Sequence, residues 1–271
     1  MITAAYTICK NEINRVEQWV HYTKDFDYRV ILDTGSTDGT YEAFKKVPGI
    51  IIDQYLVNPD EWRFDIPRNI NLNMIPKEVD WALSPDVDEY FSINVLEEME
   101  KIIKQDTSVN NISCARLDIY SKEVFVGKPK HIGTNKIHRR HQYVWKQPIY
   151  EYLSYTGQGN ENEHYSDKIF LIHDQEINKP RGTLYMKLMQ KEYKENPKNS
   201  WNSWFLCNEY YRNQDLENFV QVGLDYVAYG NRSEGKWKEV VAVLNNISNS
   251  TNVDEAIRKN LRTRLFLIGA I

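Results

Sequence analysis

At 271 residues, with 41% hydrophobic content and a formal net charge of −4, the chain is long enough to bury one substantial core and a smaller appendage. A pI near 5.9 argues against a nucleic-acid partner, which needs a basic face, and no apolar stretch approaches the ~20 residues of an integral membrane segment. Cys9, Cys114 and Cys207 form neither a metal-ligand spacing nor a disulfide framework, and no cationic-then-apolar leader opens the sequence, so a soluble, cytoplasmic protein is expected.

Residues 2–8 read as an apolar strand and 14–25 as a helix with Val16, Trp19 and Val20 inward. Residues 28–33 form the next strand, after which Thr37 is placed to cap a helix through Tyr41, Phe44 and Val47. Residues 49–57 return as a strand, 65–74 as a helix behind Pro67, and 81–84 as a strand leading into Asp86-Val87-Asp88. This β-α-β-α-β order predicts a mostly parallel sheet with helices on both faces.

Further on, 95–104 reads as an amphipathic helix and 111–120 as a strand. The stretch 125–155 is aromatic and basic, and its Ile137-His138-Arg139-Arg140-His141 segment is expected on a solvated or diphosphate-facing surface. A strand over 168–172 would deliver His173 to a sheet edge. A boundary is expected near Asn178-Lys179-Pro180, dividing an α/β domain (1–178) from a helical region (179–271) with helices at 182–195, 200–212, 216–229, 236–247 and 254–268. The aromatic density of Trp201, Trp204, Phe205, Tyr210 and Tyr211 resembles tetratricopeptide-like hairpins, but one or two such units make a brace more readily than a peptide-binding array.

Asp86 and Asp88, at i and i+2 on a bend after a buried strand, are hard oxygen ligands suited to Mg²⁺ or Mn²⁺, and the cation can in turn hold a diphosphate. Upstream, Val30-Ile31-Leu32-Asp33 stops abruptly in Thr34-Gly35-Ser36-Thr37-Asp38-Gly39-Thr40. Such a run brings Asp33 to the carboxyl edge of a sheet, where open α/β folds bind ligands.

With Lys10-Asn11-Glu12 before this block, and Arg68-Asn69 and Trp81-Ala82-Leu83-Ser84-Pro85-Asp86-Val87-Asp88-Glu89 after it, four blocks stand in the order found in GT-A glycosyltransferases of the family-two type. The chain resembles in particular the branch of lipopolysaccharide-core glucosyltransferases, over roughly its first 175 residues. The resemblance implies a GT-A, Rossmann-like α/β sheet with an α-helical C-terminal extension. It also implies inverting transfer from a nucleotide-sugar, with UDP as the default nucleotide and glucose as the default sugar, to a hydroxyl of a glycan or related acceptor.

On that resemblance, Thr7, at the end of the first strand, supplies a main-chain contact to the base, Glu12 orients its loop, Asp33 contacts base or ribose, and Arg68 recognises phosphate or base. A turn-capping role for Asp33 and a salt-bridge role for Arg68 stand beside these. Asp86 faces ribose or metal, and Asp88 with His173 ligates Mn²⁺ or Mg²⁺. The family's W-x-x-P-V-H-E block becomes Trp145-Lys146-Gln147-Pro148-Ile149-Tyr150-Glu151, with Tyr150 in place of the histidine. Its carboxylate, Glu151, is the candidate general base. Two other readings compete: an inactive GT-A domain carrying a helical interaction module, and a nucleotidyltransferase, for which Lys10-Asn11-Glu12 is a poor phosphate loop.

Overall fold

The computed structural model describes residues 1–92, 94–120, 124–125, 130–175 and 183–270. The chain divides into two compact units, Met1–Pro180 and Arg181–Ile271; the Asn178-Lys179-Pro180 boundary itself, and residues 126–129 of the aromatic and basic stretch, lie outside the described residues.

The first unit is built on a sheet that has nine strands among the described residues. Strands β1 (Thr3–Cys9), β2 (Tyr28–Asp33), β3 (Ile50–Gln54) and β4 (Trp81–Leu83) are mutually parallel, in the order β3-β2-β1-β4. They alternate with helices α1 (Val16–Tyr22), α2 (Thr40–Lys45) and α3 (Asp65–Met74). Beyond a short β5 (Glu89–Phe91) and α4 (Val95–Gln105), long strands β6 (Asn111–Tyr120), β8 (Lys130–Arg139) and β11 (Glu163–Gln175) continue the sheet, with β7 (Val124–Phe125) paired to β6. β8 runs antiparallel between β4 and β6, β11 is parallel to β6, and β5 closes the edge antiparallel to β11. A separate ribbon pairs β9 (Tyr143–Lys146) with β10 (Tyr152–Tyr155). The sheet is thus mostly parallel and flanked by helices, as the β-α-β periodicity predicts.

Both faces are apolar because strand side chains alternate. Ala5, Ile31, Trp81 and Leu83 pack on one face with Trp19 of α1, Phe44 of α2 and Met99 of α4. Ala4, Tyr6, Val30 and Ala82 pack on the other with Leu72 of α3 and Tyr143, Trp145 and Leu153 of the ribbon. A sheet covered on both sides presents its ligand-facing groups at strand ends, which is where the site must be sought.

Two local expectations are corrected. Thr37 does not cap α2: the helix begins after Gly39, whose φ of +95° favours glycine, and the Asp38 carboxylate accepts the Thr40 amide instead. Nor do His138 and Arg140 lie on a solvated or diphosphate-facing surface, since both are buried. His138 Nδ1 bonds the Arg139 carbonyl at 3.1 Å and its Nε2 bonds Tyr6 Oη at 2.9 Å. β8 is an internal strand of a sheet covered on both faces, so the consecutive residues Ile137 and His138 are both buried. His141 is exposed and bonds the Lys77 carbonyl.

The described residues of the second unit form five successive helices, α5 (Thr183–Glu195), α6 (Ser200–Arg212), α7 (Leu216–Tyr229), α8 (Gly235–Asn249) and α9 (Glu255–Leu267), each packed on the next. Side-chain oxygens of Asn199, Asp215 and Asp254 accept first-turn amides of α6, α7 and α9, the usual service of Asn and Asp at helix starts. Leu206, Phe219, Val227 and Leu244 fill the interior. Among the described residues, no helix is long and apolar enough to cross a membrane.

Candidate active site

Arg68 is the hub. It lies on the buried side of α3, stacked 4.8 Å from the Trp145 ring, with its Nε donating to Glu151 Oε1 at 2.8 Å. Its Nη1 stands 2.8 Å from Asp86 Oδ1, an ion pair without hydrogen-bond alignment. Three residues far apart in sequence thus meet in one arrangement. Burial alone would lower the Arg68 pKa, but Asp86 and Glu151 outweigh it and hold the guanidinium above its ordinary value.

Asp86 is paired twice. Its Oδ2 accepts from Lys136 Nζ at 2.8 Å, and Lys136 also donates to the buried Glu89. Glu89 Oε2 in turn accepts the Asp86 amide at 2.9 Å, closing the bend on itself. Burial would raise the Asp86 pKa, yet Arg68 and then Lys136 drive it far below the usual carboxylate range. Lys136 is likewise held charged against burial by Asp86 and Glu89.

On the other side of the bend, Asp88 Oδ2 faces His173 Nε2 at 3.3 Å. His173 is carried by β11 in register with Glu89 of β5 and Asp118 of β6, so cross-strand neighbours on one face converge. The Nδ1 of His173 is 3.1 Å from Asp118 Oδ1 and also touches Arg116 Nη2. Burial pulls the His173 pKa down, but the hydrogen bond and charge of Asp88 bring it above the ordinary value. Asp88 is lowered in spite of burial, chiefly by that hydrogen bond. Asp86 and Asp88 keep 33% and 28% of their side-chain surface exposed while Arg68 keeps 9%. A ligand therefore reaches the carboxylates before the guanidinium.

The loop carrying Glu151 has an unusual backbone. Gln147 and Tyr150 take φ values of +80° and +53°, which cost non-glycine residues about 1–3 kcal/mol each and persist where surroundings dictate them. Here the Pro148 carbonyl accepts the Phe64 amide at 2.9 Å, tying the loop to the start of α3.

The remaining predicted residues, Asp33, Glu12 and Thr7, belong to β2, to the loop after β1 and to β1. Asp33 ends β2 at the same carboxyl edge as Cys9 of β1. It is buried, and its Oδ1 accepts the Gly35 and Ser36 amides at 3.0 Å each and Gln54 Nε2 at 3.2 Å. Its turn-capping role is therefore present. Glu12 donates its amide to Thr40 Oγ1 at 2.8 Å. Thr7 does not end its strand: it is buried within β1, paired with Ile31. The described β1–β4 ladder stops at Ala5 and Leu83, so that neighbour does not cover the main chain further on.

Among the described residues, no group of three His, Cys, Asp or Glu side chains is arranged to hold a metal by itself. Asp88 and His173 do fit a cation that takes its remaining ligands from a diphosphate, because Mg²⁺ sites of this kind use one or two protein carboxylates plus substrate phosphates. Asp86 fits less well, since each of its oxygens already faces a cation.

Lys136, Glu89, Arg116 and Asp118 belong to the cluster and were not anticipated from sequence. Arg116 and Asp118 had a readable signal: spaced i, i+2 near the end of a strand, they must share one face. Lys136 had none, because only the antiparallel return of β8 beside β4 places it under Asp86.

No protein-family model matches the chain, and no curated protein matches it. Among solved structures, S. aureus TarS 1–349 is 12% identical, with 97% of this chain and 88% of that one covered at a TM-score of 0.53. TarS 1–349 in complex with UDP-GlcNAc gives 13% identity over the same shares, again at 0.53. The fold is GT-A. At such low identity the likeness is one of architecture, and the chemistry has to be argued from the residues themselves.

Proposed function

We propose that the chain is a glycosyltransferase that moves a sugar from a nucleotide-sugar, UDP by default, to a hydroxyl of a glycan or related acceptor with inversion at the anomeric carbon. The observation that carries this reading is the Arg68 hub, which joins the donor-side carboxylate Asp86 to the carboxylate proposed as base, Glu151. The GT-A architecture and a neighbour of that fold in complex with UDP-GlcNAc support it. The family-two, lipopolysaccharide-core type and a tetratricopeptide-like role for the helical unit remain part of the proposal, resting on the four sequence blocks and on the serial packing of α5–α9.

In this reading the edge formed by Asp33, Glu12 and the β1 main chain receives the nucleoside, while Arg68, behind Asp86 and Glu151, lends its charge to the phosphate side of the site. Asp88 and His173 would hold Mn²⁺ or Mg²⁺. When bound, that cation supplies charge stabilisation to the departing nucleoside diphosphate. Lys136 keeps Asp86 ionised and fixed, so the bend holds its shape as ligands come and go. Glu151 uses Oε1 to accept from Arg68, which orients the carboxylate, and Oε2 is the atom assigned to the acceptor proton. An in-line attack by that hydroxyl breaks the anomeric C–O bond to the diphosphate, and the proton passes to Glu151.

The test is thermal unfolding with UDP, CDP, GDP and ADP, each with and without Mn²⁺. A ligand of the native state raises the midpoint by mass action, so UDP with Mn²⁺ should stabilise most. Metal-dependent hydrolysis of a UDP-sugar then separates an active enzyme from an inactive GT-A scaffold. No stabilisation by any nucleotide, in either condition, overturns the proposal.

A further inference from the structure

Asp118 and Arg116, both at His173 Nδ1, ask opposite things of it. Asp118 Oδ1, at 3.1 Å, can only accept and therefore favours a proton on Nδ1. Arg116 Nη2 can only donate and therefore favours a lone pair there. A neutral imidazole carries one proton, so it satisfies one of them at a time, and the choice fixes what Nε2 presents to Asp88 on the far side of the ring. With Nδ1–H bonded to Asp118, Nε2 offers a lone pair. With Nδ1 accepting from Arg116, Nε2 carries a hydrogen that bonds Asp88 and blocks ligation.

We propose that Asp118 and Arg116 are opposed positioning residues that set the tautomer of His173 and thereby decide whether it can ligate the cation held with Asp88. The inference rests on the metal reading given above and goes beyond it by assigning roles to two residues of β6. Arg116 Nε also donates to Asp118 Oδ1 at 2.8 Å and its Nη1 lies 3.9 Å from Glu89. The two antagonists are therefore held against each other, and small movements of the arginine change which of them engages the ring. A carboxylate behind a metal-bound histidine fixes ring orientation and typically contributes 10–100-fold to metal affinity; the arginine beside it is what makes this site adjustable.

The experiment uses the full chain, selectively ¹⁵N-labelled at histidine, in wild-type form and as Asp118→Asn and Arg116→Gln, with far-UV circular dichroism confirming that each is folded. Two quantities are measured: the His173 tautomer in the metal-free protein, from long-range ¹H–¹⁵N correlations with the ring neutral, and Mn²⁺ affinity in the presence of UDP, from the electron paramagnetic resonance signal of free Mn²⁺. Asp118→Asn should shift His173 toward the Nε2–H form and weaken Mn²⁺ binding by about 10–100-fold. Arg116→Gln should shift it toward Nδ1–H and leave Mn²⁺ bound as tightly or more tightly.

The tautomer measurement is decisive because affinity alone responds to any change of charge near a cation. Unchanged tautomers in both variants, or shifts in the same direction, overturn the inference while wild-type Mn²⁺ binding leaves the metal reading intact. A wild-type protein that binds no Mn²⁺ with UDP overturns both. Should Asp118→Asn fail to fold, the opposite shift expected of Arg116→Gln still decides the question.

Discussion

Two acidic regions at the same sheet edge are wired in different ways. The block from Asp33 to Thr40 is bonded to itself and to the neighbouring loop: Asp33 takes the Gly35 and Ser36 amides, Asp38 takes the Thr40 and Ile13 amides, and Asn11 exchanges bonds with Ser36 and Thr37. The cluster around Asp86 and Asp88 draws its partners from α3, β6, β8, β11 and the loop after β9. In the first region carboxylates satisfy backbone; in the second Asp86 and Asp88 face cations and keep open surface. Substitutions in the first should therefore register in stability, and those in the second in ligand binding and turnover.

The sharpest separation is expected at Glu151. Glu151→Gln keeps a group that accepts from Arg68 but removes the basic oxygen, so transfer should fall by roughly 10²–10⁴-fold. The thermal midpoint and UDP affinity should stay close to wild type. Steady-state transfer and UDP binding measured on one preparation check this; near-normal turnover would move the base elsewhere, and lost UDP binding would mark Glu151 as a donor-site residue.

Asp88→Asn tests the same cluster from the metal side. A neutral amide replaces the charged ligand, so the Mn²⁺-dependent gain in UDP affinity should disappear, by about tenfold or more on the scale of losing a support to a metal site. UDP binding without metal should persist. An undiminished Mn²⁺ effect in the folded variant would remove Asp88 from the cation site.

Much of this architecture was legible in advance, and the reason is local. The bounds of β2 follow from its apolar run and those of α3 from Pro67 near its start, and the helices α6 and α7 fall where the sequence places them, between polar connections ending in Asn199 and Asp215. The start of α2 was misplaced because Asp38 and Gly39 together outcompete Thr37 for the cap. The cluster was legible only in part. Asp86, Asp88, Arg68, Glu151 and His173 are named by motif, yet the pairing of Arg68 with both carboxylates, and the insertion of Lys136, depend on which strands become neighbours. Periodicity says that β8 is a strand and not that it lies beside β4.

Asp33→Ala probes the self-bonded region. It removes the carboxylate that accepts from the half-buried Gly35 and Ser36 amides and from the exposed Gln54 side chain, and a hydrogen bond to a charged group contributes about 1.5–3 kcal/mol. A fall of several degrees in the thermal midpoint is expected, larger than that of Asp88→Asn, with Asp33→Asn restoring most of it through its remaining carbonyl oxygen. An unchanged midpoint combined with weaker UDP binding would reverse the comparison and make Asp33 a ligand contact first.

The smallest effect distinguishes long-range wiring from exposure to ligand. His138 reaches as far through the sequence as any cluster residue, bonding Tyr6, but it is buried and burial pushes its pKa down to about 4. Its folded value is depressed below the ordinary ~6.5, so the unfolded chain binds the proton more readily. The stability it contributes is then complete above about pH 6.5 and is lost as pH falls toward 4, about 2 kcal/mol of it by about pH 5. His173 has the opposite sign: its folded pKa is raised, so the stability it contributes is present below its unfolded value and is lost as pH rises through the folded one, while Mn²⁺ binding gains over that same rise because ligation needs the neutral ring. Following the two ring C2–H resonances against pH tests both histidines at once. A His138 that titrates near 6.5 would mean that water reaches the core of the sheet, and a His173 that titrates below 6.5 would mean that Asp88 does not hold it.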